Sequence, residues 1–353
     1  MMSDADAAER YHSLPDPSRA DHLWRYTTLQ SMHPESDLEH LPHTDSAKVE
    51  VTGAAFEFLE GQPNSTFAET EDKGVALNFA LSKRSYHVKC GPSTAINVHG
   101  DEGPTNAHIV LDISEGMTCD VTLTVTASNW LGLLVEGNIA AGAHLRLLFI
   151  DRSGSDATLL RHESWTLDGN ASARLATLSL GGGRRKSHLA LDMLGRGSSL
   201  DVGISTLGSG HRHDDHHVIV RHDAPDTTSR LRIHGVCDDH SKTVGTGRLI
   251  VSEDAHRADA GQVFRNLMLS PDAVADSIPE LEVLVDDVSA AHGAASAPVD
   301  EDHITYLNSR GLDRDEATSL IAEGFLVAPI QSVLSSGLLD MAIVQLNGWL
   351  GST

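Results

Sequence analysis

The residues best equipped for chemistry crowd into one stretch, Gly210-HRHDDHHVIVRHD. It offers His211, His213, Asp214, Asp215, His216, His217 and His222, all competent ligands for zinc, nickel or iron. The alternating apolar residues that follow make the stretch a strand. Strand neighbours point to opposite faces, so at most every second residue can converge on one ion. His213 shares a face with Asp215, and His216 with Val218 and Val220. His213 and His216 are the metal-ligand candidates. The competing readings are a polar corner or edge of the fold, and an interface.

Other constellations argue against a self-contained active site. The adjacent carboxylates Asp214/Asp215, Asp238/Asp239 and Asp286/Asp287 would face opposite ways on a strand, so none forms an acid/base couple by itself. There is no phosphate-binding GxxxxGK[ST] loop, no GxSxG elbow and no HExxH. Gly181-GGRRKS lacks the phosphate-loop spacing and reads as a turn with a local basic patch. Cys90, Cys119 and Cys237 are widely spaced and form no CxxC, which argues for a reducing compartment and against a cluster bound by this chain alone. Cys237 stands beside Asp238, Asp239 and His240, a setting that raises a thiol pKa.

The elements that would position these residues come from an internal repeat. Segments beginning at Gly116, Gly142, Gly169, Gly197, Asp226 and Asp254 each enter an alternating strand, at intervals of 26, 27, 28, 29 and 28 residues. A second strand lies between each pair of starts, for example WLGLLVEGN and HHVIVRH. A two-strand unit with this return fits one rung of a coiled sheet, which buries its inner face only by stacking on the next. A β-sandwich also gives frequent turns, but does not require the longer period. The expectation is a mainly β chain: a right-handed parallel β-helix flanked by N-terminal and C-terminal helical regions. Its parts are a mixed, partly helical region over 1–85, a β-helix core over 86–297 and a helical module over 298–353.

Within the module, Asp300 can cap a short helix, and Asp313 with Glu316 has the capping-box form. Ala317, Leu320, Ile321 and Phe325 fall on one face, and Gly311 separates the two helices. Pro329 is expected to open a last helix burying Ile330, Leu334, Leu338 and Met341. Near the N-terminus, short helices are expected around Ala20–Gln30.

Composition narrows the function classes. The chain has 353 residues and a formal charge of −24, with 26 Lys+Arg against 50 Asp+Glu. So acidic a surface repels phosphate backbones, so no nucleic-acid partner is expected. No apolar run reaches the roughly 18–20 residues of a membrane span, and MMSDADAAER is no secretory signal. No membrane association and a cytoplasmic location are therefore expected. The scarcity of lysine is open to two readings, adaptation to a salty cytoplasm or coding bias. Aromatics make up only 4%, which disfavours a sugar-binding groove and makes a β-helix polysaccharide-active enzyme the weaker alternative, alongside a His-rich metal-handling protein.

At residues 262–325 the chain reads QVFRNLMLSPDAVADSIPELEVLVDDVSAAHGAASAPVDEDHITYLNSRGLDRDEATSLIAEGF. The succession NLMLS, IPELEV, DDV, AHGA, YLNSRGL and a capped helix ending in GF resembles the C-terminal core of the SufB/SufD family of iron–sulfur cluster assembly proteins. Weaker likeness runs through His216, His222, Pro225, Ser229 and His234-Gly235-Val236, and Trp24-Arg25-Tyr26-Thr27 is similar to a segment of SufD proteins. The resemblance implies a β-helix with helical flanks. It also implies a non-catalytic scaffold that pairs with a SufB-like subunit and docks a SufC-like ATPase.

SufB-type chains carry a cysteine just before the NLMLS segment and an EHEA-like motif. Here Arg265 stands near the cysteine's position and the later motif is Ala291-His292-Gly293-Ala294, so the resemblance is to SufD. It implies that His292 faces a transient iron–sulfur cluster shared with SufB, with no cofactor bound by the isolated chain. A neutral imidazole there could ligate iron. It further implies SufC docking through Tyr306, Leu307, Arg310, Leu320 and Phe325. The same helices could instead shield the open end of the coil. A homodimer is the form expected of the isolated chain.

Overall fold

The structure, a computed structural model, describes residues 4–61 and 65–350. The N-terminal region holds helices α1 (Asp4–Ser13) and α2 (Leu29–Met32), with a 3-10 turn over His22–Trp24 between them. Strands β1 (Asp45–Ser46), β2 (Lys48–Thr52) and β3 (Ala55–Glu60) follow, then helix α3 (Lys73–Leu81). Helices α1 and α3 were not foreseen. The apolar residues of α3 surround the whole helix, because it is buried on every side, and this leaves no amphipathic stripe to read.

The coil begins with β4 (Arg84–Lys89), β5 (Ser93–His99), β6 (Thr105–Ile113), β7 (Thr118–Thr126), β8 (Trp130–Ile139) and β9 (His144–Asp151). It continues with β10 (Thr158–Leu167), β11 (Ser172–Ser179), β12 (Arg184–Met193), β13 (Ser199–Gly208) and β14 (His213–His222). The last strands are β15 (Thr228–Cys237), β16 (Lys242–Val251), β17 (Asp259–Met268), β18 (Val274–Val283) and β19 (Ser289–Pro298). From β4 onward, even strands join one parallel sheet and odd strands a second, so each rung pairs only with the rung before and after it. The fold is a β-solenoid of about seven turns with helices at both ends of the chain. Among the described residues β2 and β3 add antiparallel strands to β5 and β4 at the N-terminal end of the coil, so the sheet orders run from β3 and β2 at one end to β18 and β19 at the other.

The repeat seen in the sequence is the rung. Gly116, Gly142, Gly197 and Asp226 have φ between 60° and 73°, the left-handed conformation that lets the chain turn from one sheet into the other. At two rungs the left-handed residue lies downstream of the expected one, Asn170 next to Gly169 and Arg257 three residues after Asp254. Asparagine occupies this conformation at little cost. A second series of corners, at Gly182, Gly210 and Asp239, returns the chain to the first sheet.

Between the sheets lies a core of Ile109, Leu123, Leu133, Leu147, Leu175, Leu191, Val220, Leu249 and their neighbours. Along one edge this interior turns polar. Arg161 and Arg185 reach the carboxylates of Glu163 and Asp151, and Arg212 that of Asp214, all six side chains being buried. The Gly181-GGRRKS segment therefore makes no surface basic patch. Arg185 and Lys186 are buried, and only Arg184 is exposed, donating to Ser31 O at 2.9 Å.

The N-terminal region packs on the outer face of the first sheet, where Trp24, Met32 and Leu77 meet Trp130, Leu134 and Leu160. Trp24 Nε1 donates to Asp72 Oδ2 (2.6 Å), and Asp72 also accepts from Val75 N as the N-cap of α3. On the other flank, helices α4 (Glu301–Asn308), α5 (Arg314–Val327) and α6 (Ser336–Leu350) follow the coil. Leu326, Ile330, Val333, Leu338 and Leu346 cover Leu148, Ile150, Leu178 and Val236 on the outer face of the second sheet. These helices thus lie along the flank and do not shield the open end. Asp313 and Glu316 form the reciprocal capping box at the start of α5, and Gly311 has φ 100°. The last helix starts at Ser336, because residues 328–335 form successive turns after Pro329. Met341 and Leu320 are exposed, and the buried face of α5 is Ala317, Ala322 and Leu326.

Candidate functional site

The His-rich stretch is β14, a strand inside the first sheet and not at an edge or corner. Its alternation separates the two proposed ligands. His213 faces the N-terminal region, with its Nε2 2.8 Å from Thr27 Oγ1, whereas His216 faces the interior, with its Nε2 2.9 Å from Thr206 Oγ1. Two imidazoles on opposite faces of one strand cannot share an ion. Among the described residues, no three His, Cys, Asp or Glu side chains converge on one point. Asp214 and Asp215 are likewise divided, Asp214 inward to Arg212 and Asp215 outward to Lys186 Nζ (2.8 Å).

The upstream residues of the resemblance hold the fold together. Thr27 donates to Asp215 Oδ2 at 2.5 Å, tying the N-terminal region to β14. Both ring nitrogens of His222 have hydroxyl partners, Thr227 Oγ1 and Ser229 Oγ, each at 2.7 Å. His234 sets its Nδ1 2.8 Å from Phe325 O and its ring 4.7 Å from the Phe325 ring, which anchors α5 to β15. Burial, with a smaller push from Asp214, drives the Cys237 thiol up to about 11, so it is no nucleophile at neutral pH, and its sequence neighbours Asp238 and Asp239 are not the cause.

His292 lies elsewhere, on β19, the terminal strand of the second sheet. It pairs in register with Gln262 of β17, whose neighbours Ala260 and Phe264 are buried in the coil. His292 therefore occupies an inward-facing register, but on the last rung, where nothing stacks over it, and it is exposed. Ala290, Ala294 and Ser296 share that register parity. Beneath them, Asn266 Nδ2 donates to Ser277 Oγ (2.9 Å) and to Ser296 Oγ (3.0 Å), joining both terminal strands. Gln262 Nε2 donates to Glu280 O at 2.8 Å, which fixes the support below His292. These amides were not singled out in the sequence. Their signal was the repeat itself, which sets Gln262 and His292 at equivalent positions of successive rungs.

Around this end, a groove of about 320 Å³ is lined by Arg230, Arg232, Val263, Ala291, His292 and Gly293, with Gly261 and Gln262 in its floor. Apolar side chains are unusually exposed nearby: Val274, Val283 and Leu284, the last at 54%. The two terminal strands also leave their outer backbone edges without a partner strand among the described residues. Arg265, near the cysteine position of SufB-type chains, is exposed on β17, in register with His234 and Ala295.

The helical candidates fall into two groups. Tyr306 (57% exposed) and Leu320 (47% exposed) lie on the outer surface of α4 and α5, and the Arg310 guanidinium sits 5.2 Å from the Tyr306 ring centre. Leu307 and Phe325 are half-buried, and Phe325 packs onto the second sheet.

The fold defines a β-solenoid protein with helical flanks, and comparison with known proteins gives its family. Residues 96–325 match the family model described as SUF system FeS cluster assembly, SufBD core domain. The chain belongs to this SufBD family. It is 24% identical over 241 residues to the iron–sulfur cluster assembly protein SufD of Escherichia coli, covering 67% of this chain and 57% of that one. A SufBD family protein of Mycobacterium leprae is 23% identical over 336 residues, 88% of this chain and 84% of its own. SufD of Bacillus subtilis is 32% identical over 143 residues, 40% and 32% of the two chains. The match to the Escherichia coli protein thus spans less than two thirds of that relative's length. No helix of the described residues is long and apolar enough to cross a membrane.

Proposed function

We propose that this chain is the SufD-type, non-catalytic scaffold of a cytoplasmic iron–sulfur cluster assembly complex. The observation that carries the reading is the last rung of the coil. It presents unpaired strand edges, exposed valines and leucine, and His292. Exposed apolar residues around open strand edges form a pairing surface. The occupant is a SufB-like subunit, and the iron–sulfur cluster is cargo built at the junction. His292 supplies one imidazole to that junction, and the partner supplies the sulfur-accepting cysteine that this chain lacks at Arg265.

The second contact is with a SufC-like ATPase. Tyr306, Arg310 and Leu320 are free to dock it, while Leu307 and Phe325 hold the docking helices in place. In the absence of a SufB-like chain, the same open end supports a homodimer. Co-purification with SufB-like and SufC-like partners tests the proposal, with a stable complex as the expected result. Failure to bind either partner would refute it.

A further inference from the structure

The first rung of the coil is also uncovered, and its inward positions are aromatic. On β3, Phe56 and Phe58 stand in register with Val88 and Tyr86 of β4, which pair in turn with the buried Leu111 and Ile109 of β6. The two phenylalanines therefore hold inward-facing registers. Nothing among the described residues stacks over them, and Phe56 is 46% and Phe58 56% exposed. From the second sheet, Val49 and Val51 of β2 line the same mouth. They pair with the buried Val98 and Ile96 and pack on the core, yet are only half-buried. β3 and β2 end the two sheet orders, so among the described residues each leaves an outer backbone edge without a partner strand. Exposed apolar residues on an unpaired edge are a template for another strand.

We infer that this end docks a second copy of the chain, the two coils meeting head to head about a two-fold axis normal to the sheets. Such an axis lays β3 antiparallel to its counterpart and β2 antiparallel to its own. Both unpaired edges are then satisfied in one closed contact. Charge selects a second copy as the occupant. The chain carries −24 overall, so most of its surface repels itself. At this end Lys48, Lys83, Arg84 and Lys89 stand among Glu50, Glu57 and Glu60, which gathers three of the six lysines on a patch of mixed sign. Arg84 pairs with Glu60 at 2.8 Å and Lys48 with Glu50 at 2.5 Å, so little net charge opposes the approach. One register of β3 suits the pairing best. With Phe58 opposite Phe58 of the second copy, Glu57 faces Leu59 and Glu60 faces Phe56, so no two carboxylates are opposed. Setting Phe56 opposite Phe58 instead would put Glu57 against Glu57. The contact lies at the opposite end of the coil from His292, so it does not rest on the SufD-type reading, and a SufB-like chain on β18 and β19 leaves it accessible.

The test is hydrogen exchange of the full chain across a dilution series, read beside sedimentation velocity. Amides of β2 and β3 should gain protection as concentration rises. Leu284→Asp, which disables the last rung, isolates this contact and should still sediment as a monomer–dimer equilibrium. Added salt should tighten that dimer, because it screens the repulsion between two acidic chains. In the same background Phe58→Glu should weaken dimerisation at least tenfold, as should Phe58→Lys, since each sets like charges opposite one another on the axis. Phe58 is more than half exposed, so neither variant should move the melting curve. An equal mixture of the two should restore the dimer as a mixed pair, a rescue that requires residue 58 to face itself. A monomer at every concentration, or protection confined to β18 and β19, would overturn the inference. So would a mixture that stays monomeric, or protection of β3 that appears only with a different protein.

Discussion

Gln262 and His292 occupy equivalent positions of successive rungs, in register on β17 and β19, one sealed inside the coil and the other exposed on its last turn. The same inward parity that buries Gln262 presents His292 to whatever completes the stack. Among the described residues the His292 side chain makes no hydrogen bond or ion pair and is exposed, so its replacement separates function from folding. His292→Ala should lower the yield of cluster formed with SufB-like and SufC-like partners severalfold and leave the melting curve unmoved. Cluster yield by absorption, read beside the melt, decides this. An unchanged yield removes His292 from the junction.

The docking surface on the helices can be tested in the same way. Tyr306 is largely exposed and touches the Arg310 guanidinium, so Tyr306→Ala should change stability by no more than about 0.5 kcal/mol. Its affinity for a SufC-like ATPase should fall at least tenfold, as measured by calorimetry on the whole chain. Equal affinity would place the docking surface elsewhere.

Gly203 of β13 is the close-approach point for the helical flank. A Cβ there would lie 2.3 Å from Pro329 O, and backbone cannot give way as a side-chain tip can. Gly203→Ala should cost about 1–3 kcal/mol in urea unfolding, with most of the loss in the helices. Hydrogen exchange should show α5 and α6 loosened while the coil stays protected. Uniform protection would contradict this.

The polar edge of the interior depends on complete pairing. Asp214 is buried, accepts from Arg212 Nε at 2.6 Å and from Ser179 Oγ at 2.9 Å, and is held below the usual carboxylate range by Arg212 against the opposing effect of burial. Asp214→Ala leaves a buried guanidinium without its counterion and should cost about 3–5 kcal/mol. Replacing Arg212 and Asp214 together with apolar residues should recover most of that loss. A single variant as stable as the parent would show that the pair is open to water.

Stability should fall on the acid side of neutrality. Burial lowers His216 and His222 to about 4, against 6.5 in the unfolded chain. Above pH 6.5 both states are neutral at these positions and there is no contribution. Between pH 6.5 and 4 the unfolded chain takes up protons that the folded one cannot, so folding weakens as pH falls. Each site should account for about 2 kcal/mol by pH 5. Urea unfolding at pH 7, 6 and 5 should show this slope, and His216→Gln should flatten it. A parent as stable at pH 5 as at pH 7 would count against buried neutral imidazoles.

What the sequence determined by itself was the rung. A strand's period of two and a corner that tolerates left-handed φ are local properties, so the return from Gly116 to Asp226 could be read directly, as could the capping box at Asp313. The expectation for His292 came from a motif and not from physics. Its exposure followed only from its place on the last rung. Faces and neighbours were decided by the tertiary structure. β14 became an interior strand, which set His213 against the N-terminal region and buried His216 in the coil. The helical flank lay along the second sheet, which left Leu320 and Met341 outside. His162, His188 and His217, in register on β10, β12 and β14, show the reason: parallel stacking makes neighbours of residues a full turn apart, and register is a property of the stack that no single strand contains.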